Sequence, residues 1–382
     1  MKFKEFKNTL RFKDYSNFKI FTRYLEFKIK NFFYNFFILL NYTKHNKQYL
    51  NLEDYHDTRF INFLFFSLKK NFHFTYKKNK NTILFIKKIG LKNFIKHTCN
   101  IDKIKKKNNI INLKFNSSPQ ANEISFNTNY FNLVNKKNTE DQFFMPYYMY
   151  PEIYNSYYNK INIDNNLPKF KIFFSGGIYE PVYSKYKWID NENNKKHLNR
   201  IEIINIILKE FNKEIFLVKN KNDLKTNKIF KKKIILCLHD RMTSKKKYIL
   251  NFKENYNMLS LSAYNLNCPG VVMPICHHLV EGIKFGSIPI TQSNNFLYPK
   301  IPKKLCVEYY DKNSLITGFN KALNVHDDDI KTLRQDLKLF YKQYLSPESF
   351  RNNFIKNLKK NKFQEIIACN DHESVKRLRN YL

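Results

Sequence analysis

The chain has 382 residues, which is too long for one ordinary domain and fits two domains with a core in each. Hydrophobic residues make up 43% of it, so the chain can fold around such cores. The formal net charge of +36 attracts anions, but Arg is sparse, Lys is scattered and no nucleic-acid-binding motif is present, so nucleic acid is not expected as a partner.

Three interpretations of the positive charge stay open: ordinary surface Lys, attraction to an anionic membrane surface, or binding of nucleic acid.

Six Cys residues without CxxC spacing indicate a reduced, intracellular chain rather than a disulfide scaffold or a zinc site. The charged first residues lack the apolar core of a secretory signal. The most apolar stretch, Phe32–Leu40, is too short to span a bilayer. We therefore expect a cytoplasmic protein that lies, at most, peripherally on the inner membrane face.

The first part of the chain changes character near residue 50. Residues 1–50 are basic and aromatic and are predicted to form a helical extension. An α/β pattern then begins, because Asp57–Lys69 has helical spacing while Thr82–Ile86 and Ile110–Phe115 are apolar runs of strand length. The buried face of the predicted helix carries Phe60, Phe63, Leu64 and Leu68.

Two prolines in Phe143–Tyr158 exclude a regular helix, and the interdomain region is placed near this segment. The prediction is an N-terminal α/β domain over residues 51–160, a second α/β domain over 161–325 and C-terminal helices over 326–382. In the second domain, the predicted strand Phe170–Phe174 leads into Ser175-Gly176-Gly177, which we interpret as a loop. Further predicted elements are helices at Arg200–Phe211 and Ser314–Leu323 and strands at Glu214–Val218, Lys233–Leu238 and Lys304–Tyr309.

The C-terminal helices have recognisable start signals. Asp327, Asp328 and Asp329 would complement the dipole at a helix N-terminus. Ser346 followed by Pro347 is typical of an N-cap and a first helical position, so a further helix is predicted there.

Asn267–Thr291 is the most informative segment. Cys268-Pro269-Gly270 predicts a turn, and a helix is predicted from about Cys276 to Phe285, ended by Gly286. Leu279, Val280 and Ile283 form its apolar face, whereas His277, Glu281 and Lys284 share a more polar one. The strand Ile288-Pro289-Ile290 follows, since Pro is allowed at a first strand position.

This segment suits a nucleotide diphosphate. A helix N-terminus offers free backbone N–H groups and a positive dipole end, and His277 or His278 there can donate to a phosphate oxygen. Glu281, one turn further on, can accept hydrogen bonds from two ribose hydroxyls. Gly270 allows the backbone to approach a ligand closely. The simpler alternatives are helix capping by the histidines and a surface Glu281 paired with Lys284 or His277.

The residues PGVVMPICHHLVEGIKFGSIPI resemble the donor-binding segment of GT-B glycosyltransferases, especially bacterial exostosin-like enzymes. The shared pattern is a small-residue turn, a His-rich helix start and Glu-Gly-x-x-x-Gly-x-Ile-Pro-Ile; fucosyltransferases carry a related arrangement. FFSGGIYEPVYSK, CVEYYDKNSLITGFNKAL and FMPYYMYP resemble other parts of the same family. The similarity covers about residues 140–345, and 50–140 only weakly. His278 stands where such families often have Asn.

The resemblance implies an α/β fold of two Rossmann-like domains that face each other across a cleft. It implies transfer of a sugar from a nucleotide diphosphate sugar, as co-substrate, to a glycan or lipid-linked acceptor in cell-surface polysaccharide synthesis. No bound cofactor and no metal are expected, because such folds usually work without metal and His277 with Glu281 lacks an evident third ligand. The expected donor-binding residues are Ser175, Gly176, Gly177, Arg200, Arg241, Pro269, Gly270, His277, His278 and Glu281.

An inverting enzyme would need a base on the acceptor side, and the cluster Asp54, His56 and Asp57 is the best candidate. The alternative for these residues is helix capping by Asp54 or Asp57, and a retaining enzyme needs no such base. Two other functions stay open: a donor-binding protein that has lost activity and serves in assembly, and a basic nucleic-acid-binding module.

Overall fold

The computed structural model describes residues 48–52, 58–76, 89, 93, 96–101, 110–116, 123–134, 143–154, 167–184, 189–190, 195–239, 249–271, 273–359, 365–370 and 374–375. The chain is an α/β protein with two parallel-strand sheets, as predicted. Its contacts divide it into unit 1, Met1–Lys114 with Pro119–Ile124, and unit 2, Phe115–Ser118 with Ser125–Leu382. None of the helices in the described part of the chain combines the length and the apolar character needed to cross a bilayer.

Unit 1 is a small βα arrangement. Its elements are β1 (Tyr49–Leu52), α1 (Thr58–Leu68), β2 (His73–Tyr76), β3 (Thr98–Asn100) and β4 (Ile110–Phe115). β1 pairs in parallel with β2 and β4, and β2 pairs with β3, which gives the order β4-β1-β2-β3. The predicted helix near residue 60 is confirmed, and its apolar face is fully buried: Phe60, Phe63, Leu64 and Leu68. The strand at Ile110–Phe115 is also confirmed, whereas the strand predicted at Thr82–Ile86 lies outside the described residues.

Unit 2 holds the second sheet, which has six strands. Its elements in chain order are β5 (Glu123–Asn127, which begins in unit 1), α2 (Tyr130–Val134), β6 (Phe170–Gly177), α3 (Glu180–Tyr183), β7 (Ile189–Asp190), β8 (Lys195–Lys196), α4 (Arg200–Glu210), β9 (Ile215–Leu217), β10 (Ile234–His239), α5 (Phe252–Leu261), β11 (Ser262–Asn267), α6 (His277–Lys284), β12 (Ile288–Thr291), β13 (Val307–Glu308), α7 (Lys312–Asn324), α8 (Asp327–Phe340), α9 (Pro347–Lys359) and β14 (Glu365–Ile367). A 3-10 turn, Lys303–Leu305, stands in the first half of the strand predicted at Lys304–Tyr309.

The sheet order in unit 2 is β13-β12-β11-β6-β10-β9. β6 comes first along the chain and lies in the middle, because β9 and β10 build one side of it and β11, β12 and β13 the other. β10, β11 and β12 are buried along their whole length, as expected for a parallel sheet covered on both faces. Numbered along the chain, the order is 2-3-1-4-5-6, so the two outer strands on the β9 side are interchanged relative to the Rossmann order 3-2-1-4-5-6.

The segment predicted to link the domains belongs to unit 2. Met145 donates its backbone N–H to the carbonyl of Ile367 at 2.8 Å, and Ile367 donates in return to Phe143 at 2.8 Å. β14 also pairs in parallel with β5. Phe144 thus forms an isolated parallel bridge with Ile367 at the end of β14. Unit 2 comprises Phe115–Ser118 and Ser125–Leu382, so this segment lies within it.

The prediction of a loop at Ser175-Gly176-Gly177 was wrong. These residues complete β6 and pair in register with Cys237, Leu238 and His239 of β10. Glycines weaken a strand in isolation, but β10 pairs with this central strand as far as Gly177, so the strand continues to its last glycine. The loop begins only at Ile178, whose N–H still bonds to the carbonyl of His239 at 2.9 Å.

Candidate functional site

The candidate site lies within unit 2, at the carboxyl edge of its sheet. The connection after β6 leads toward the β9 edge of the sheet and the connection after β11 leads toward the β13 edge, so the topological switch point falls between β6 and β11. Ligands of open α/β sheets bind outside the carboxyl ends of the strands at such a point. Gly177 ends β6, His239 ends β10 and Asn267 ends β11. The fold therefore brings these three strand ends to one edge.

Arg200 connects the two strand ends that flank the switch point. It is the first residue of α4, whose N-terminus is capped by Asn199 in a capping box with Glu202. The buried guanidinium donates from Nε and Nη2 to the carbonyl of Pro269 at 3.1 and 2.7 Å, and from Nη1 to the carbonyl of Gly177 at 3.2 Å. At least three of its five N–H donors thus hold protein carbonyls, which leaves at most two for a phosphate.

The small residues at the edge have definite packing roles. A Cβ on Gly177 would lie 2.9 Å from the hydroxyl of Tyr183, whose ring centroid in turn lies 4.1 Å from Cζ of Arg200. On the opposite side, the Gly270 N–H bonds to the carbonyl of Met273 at 2.9 Å and closes the predicted turn. Glycine at 177 therefore lets the Tyr183 ring and the Arg200 guanidinium stack beside the end of β6.

The predicted helix in Asn267–Thr291 is confirmed as α6, with Leu279, Val280 and Ile283 buried. It ends before Gly286, whose φ of 75° is the left-handed conformation expected of a glycine after a helix. Gly282 faces β11, because a Cβ there would come within 2.6 Å of Nδ2 of Asn265. Asn265 donates from the same nitrogen to the carbonyl of His278 at 2.9 Å. This contact fixes the first turn of α6 against the sheet.

The side chain of Glu281 is buried and is not open to solvent. It is 2% exposed, and Oε1 accepts a hydrogen bond from the backbone N–H of Tyr150 at 3.0 Å. Nε2 of His277 lies 4.0 Å from Oε1, and Nε2 of His278 lies 4.0 Å from Oε2. The face shared by these residues is polar, as predicted, but Tyr150 lies over it. Its ring centroid is 5.6 Å from that of His277.

His278 sits in surroundings that disfavour its charged form. Burial lowers the pKa of His278 to about 3; Cys276 opposes this shift, and the charges of His277, Arg200 and His239 add to it. The imidazole is therefore neutral over the physiological pH range. A neutral ring can donate a hydrogen bond from one nitrogen and accept one, or bind a metal ion, with the other.

Three of these side chains could hold a metal ion. One donor atom from each of His277, His278 and Glu281 lies within 4.8 Å of the other two. His278 supplies the third ligand that was not evident in the sequence, because it turns toward the same carboxylate from the neighbouring helix position. Ser175, by contrast, is buried within β6 beside Cys237.

The structure brings together the predicted residues Gly177, Arg200, Pro269, Gly270, His277, His278 and Glu281. Asp54, His56, Asp57 and Arg241 lie outside the described residues, so their roles stay predictions.

Sequence reasoning missed Tyr150, Tyr183 and His239. Only His239 had a usable signal, since it ends the apolar strand run IILCLH where carboxyl-edge residues are expected. Tyr150 reaches Glu281 from 131 positions away, which no local pattern predicts.

The fold and the site define an α/β protein with a doubly wound parallel sheet and a polar group of residues at its switch point. Comparison of the sequence with protein-family models finds no family that matches, and comparison with curated proteins finds no match either.

Proposed function

We propose that the chain is a glycosyltransferase that moves a sugar from a nucleotide diphosphate sugar to a glycan or lipid-linked acceptor, in cell-surface polysaccharide synthesis. The donor would bind at the carboxyl edge of the unit 2 sheet. The proposal includes the finer description of the fold, a GT-B arrangement of two Rossmann-like domains that face each other across a cleft. A peripheral location at the inner membrane face also belongs to the proposal.

One observation carries the proposal: the segment that resembles a donor-binding motif forms the helix that follows the switch-point strand. α6 begins at His277, directly beyond the loop that Arg200 holds to the end of β6. A helix N-terminus at this edge presents backbone N–H groups and a positive dipole end, which suit a diphosphate. The neighbouring His277 and His278 can donate to phosphate oxygens.

The proposed reaction breaks the bond between the anomeric carbon and the diphosphate oxygen, while an acceptor hydroxyl oxygen bonds to that carbon. The nucleoside diphosphate leaves with the bonding electrons, and groups at the α6 N-terminus would stabilise its charge. In an inverting enzyme the hydroxyl proton would pass to a base, for which Asp54, His56 and Asp57 stay the candidates.

Binding of the donor can be tested with UDP-, GDP-, ADP- and CMP-sugars in a thermal-shift assay. A ligand that binds only the folded chain raises its stability by mass action, about 2.7 kcal/mol at 100 times the dissociation constant. We expect one nucleotide class to raise the melting temperature. If millimolar concentrations of all four classes leave it unchanged, the proposed function is wrong.

The site can be tested with Glu281→Gln, which keeps the shape of the side chain and removes its charge. We expect donor binding and transfer to fall at least tenfold while the far-UV circular dichroism stays that of the wild type. Glu152→Gln is the matched control, because Glu152 is exposed and lies two residues from Tyr150. Equal transfer by both variants would remove Glu281 from the site.

A second candidate is a donor-binding protein without transfer activity, as part of an assembly. The observation that favours it is the cover over Glu281, since a ribose can reach the carboxylate only if the Tyr150 contact opens. Binding of a nucleotide sugar without release of nucleoside diphosphate, with glycan and lipid-linked acceptors present, would identify this second function.

A further inference from the structure

We propose that His277, His278 and Glu281 form a binding site for a divalent transition-metal ion such as Zn²⁺. The proposal goes beyond the proposed function, which needs no metal. Its basis is the clustering of two imidazole nitrogens and one carboxylate oxygen, with the donor atoms within 4.8 Å of one another. Two His and one Glu, with a further coordination position open, is a common ligand set of zinc.

The distances are close to those that a metal requires. Nε2 of His277 and Nε2 of His278 each lie 4.0 Å from a different oxygen of Glu281. Zinc binds nitrogen at about 2.0–2.1 Å and oxygen at about 2.0–2.2 Å, so tetrahedral ligands stand roughly 3.3 Å apart. These two contacts must therefore shorten by about 0.7 Å, and the widest pair of donor atoms, which lie within 4.8 Å, by up to about 1.5 Å. Rotation of exposed parts of the two imidazoles, which are 21% and 26% exposed, can provide this.

A backbone hydrogen bond orients the carboxylate of Glu281. The backbone N–H of Tyr150 donates to Oε1 of Glu281 at 3.0 Å, so Oε2 is directed at His278. Hydrogen bonds of this kind orient metal ligands in proteins and are part of the affinity of the site. A metal cation would also balance the charge of a carboxylate that is almost completely removed from water.

The imidazoles are oriented as well. Nδ1 of His277 lies 3.7 Å from the sulfur of Cys276, so its Nε2 faces the carboxylate. The backbone of His278 is anchored by Asn265, which donates to its carbonyl at 2.9 Å. The Cys276 contact orients the His277 ring and the Asn265 bond anchors the backbone of His278, while both partly exposed rings can still rotate toward a metal. The nitrogen and oxygen donors favour a metal such as zinc.

The proposal is tested by metal binding to the full chain, with no nucleotide sugar present. The purified protein is stripped with a chelator and dialysed against Zn²⁺, and its metal content is measured. Co²⁺ is added in parallel, because its visible absorption reports coordination by protein ligands. We expect one equivalent of tightly held metal and a visible Co²⁺ spectrum.

Variants locate the site. We expect His278→Asn and Glu281→Gln each to weaken metal affinity at least tenfold and to abolish the Co²⁺ spectrum, with the circular dichroism of the metal-free chain unchanged. His326→Asn is the matched control, since His326 is an exposed histidine beside Asp328 at 3.5 Å and should leave metal binding intact. If a variant does not fold, His277→Asn replaces it in the series.

Two outcomes would overturn the proposal: a wild-type chain that retains no stoichiometric metal, or full metal binding in a double variant that combines His277→Asn with His278→Asn. The test is independent of the proposed function. A chain that binds Zn²⁺ at this site but no nucleotide sugar would leave the metal site standing and remove the glycosyltransferase.

Discussion

Arg200 shows how one buried side chain can join two loops. The residue is 6% exposed, and its guanidinium donates hydrogen bonds to the carbonyls of Gly177 and Pro269, which lie on opposite sides of the switch point. A buried carbonyl that loses its partner costs about 1–3 kcal/mol, more than an ordinary hydrogen bond contributes. Arg200 therefore stabilises the loops at the carboxyl edge of the sheet, whether or not it also contacts a phosphate.

We predict that Arg200→Lys lowers the free energy of unfolding by about 1–3 kcal/mol. Lysine cannot reproduce the planar fork that serves two carbonyls at once. Urea denaturation at neutral pH measures the effect. Arg351→Lys, at a half-buried position of α9, is the control and should change the stability much less. An equal effect of the two variants would mean that the Arg200 hydrogen bonds contribute little.

The site could be predicted from the sequence only where it depends on local pattern. The spacing of Leu279, Val280 and Ile283 predicted α6 and the position of Glu281 on it. The contact with Tyr150 could not be predicted, because it depends on the path of a proline-interrupted segment far along the chain. The metal-ligating potential of His278 was missed for a related reason: adjacent residues of a helix usually diverge, and only the side-chain conformations bring both imidazoles to Glu281.

At the scale of elements, the packing of α6 on β11 depends on Gly282. A Cβ there would lie 2.6 Å from Nδ2 and 3.1 Å from Cβ of Asn265, a residue fixed by its bond to the carbonyl of His278. Alanine gains about 1 kcal/mol of helix propensity over glycine, but overpacking costs about 1–3 kcal/mol. We expect the steric cost to exceed the gain in helix propensity, because Cβ of Asn265, which cannot rotate away, also lies too close.

We predict that Gly282→Ala lowers the melting temperature, and that Gly318→Ala on α7 does so less. The Cβ at position 318 would meet a single atom, Cγ1 of Val307, at 2.8 Å. Thermal unfolding followed by circular dichroism compares the two variants. A Gly282→Ala protein that is more stable than the wild type would show that α6 can shift away from β11 without loss.

The N-terminus of α8 allows a prediction on pH. A hydrogen bond from Lys171, 2.7 Å away, lowers the pKa of Asp327 below its ordinary value of 3.8. The carboxylate therefore contributes stability above that value, which is lost as the pH falls through the lower folded pKa. The side chain is 57% exposed, so solvent screening keeps the contribution to at most about 1 kcal/mol.

We predict that Asp327→Asn is slightly less stable than the wild type at pH 7, and that the difference shrinks as the pH falls below about 3.8. Asp329→Asn is the control, because it removes a charge from the same helical turn and leaves the Lys171 contact in place. Melting temperatures between pH 3 and pH 7 measure both. A difference that stays constant with pH would exclude the ion pair as its cause.

Several elements of unit 2 were predictable from hydrophobic pattern, whereas β11 was not. α4, β9, β10, β12, α7 and the start of α8 fall where the sequence predicts them. β11, with the sequence SAYNLN, is fully buried although half of its residues are polar. Asn265 is accommodated by its bond to α6, and Ser262 by a hydroxyl contact with Ser287 at 2.7 Å. Such tertiary partners leave no trace in the pattern of the strand itself.

At the scale of the whole molecule, the strand order could not be predicted. The sequence indicates an alternation of strands and helices, which favours parallel sheets. It does not indicate that β10 lies between β6 and the earlier strand β9. That choice depends on which strand buries more surface beside β6, and β10 has six buried residues whereas β9 is short and partly exposed.

The net charge of +36 supports a prediction for the complete chain. We expect it to sediment with vesicles that contain anionic lipid at 0.1 M salt and to be released at 1 M salt. The Debye length falls from about 10 Å to about 3 Å over this range. Vesicles of neutral lipid are the control and should not bind. Binding that is equal for both lipid compositions, or indifferent to salt, would exclude an electrostatic membrane attraction.

The pairing of β5 with β14 has a consequence for the chain while it is being made. Their register joins Ser125 to Glu365, a separation of 240 positions (365 minus 125). At about 5–20 residues per second, a ribosome needs roughly 10–50 s to reach the second strand after the first. During that time β5 keeps one edge open, and an open strand edge can pair with another chain. The yield of native protein should therefore depend on how well the nascent chain is shielded over this interval.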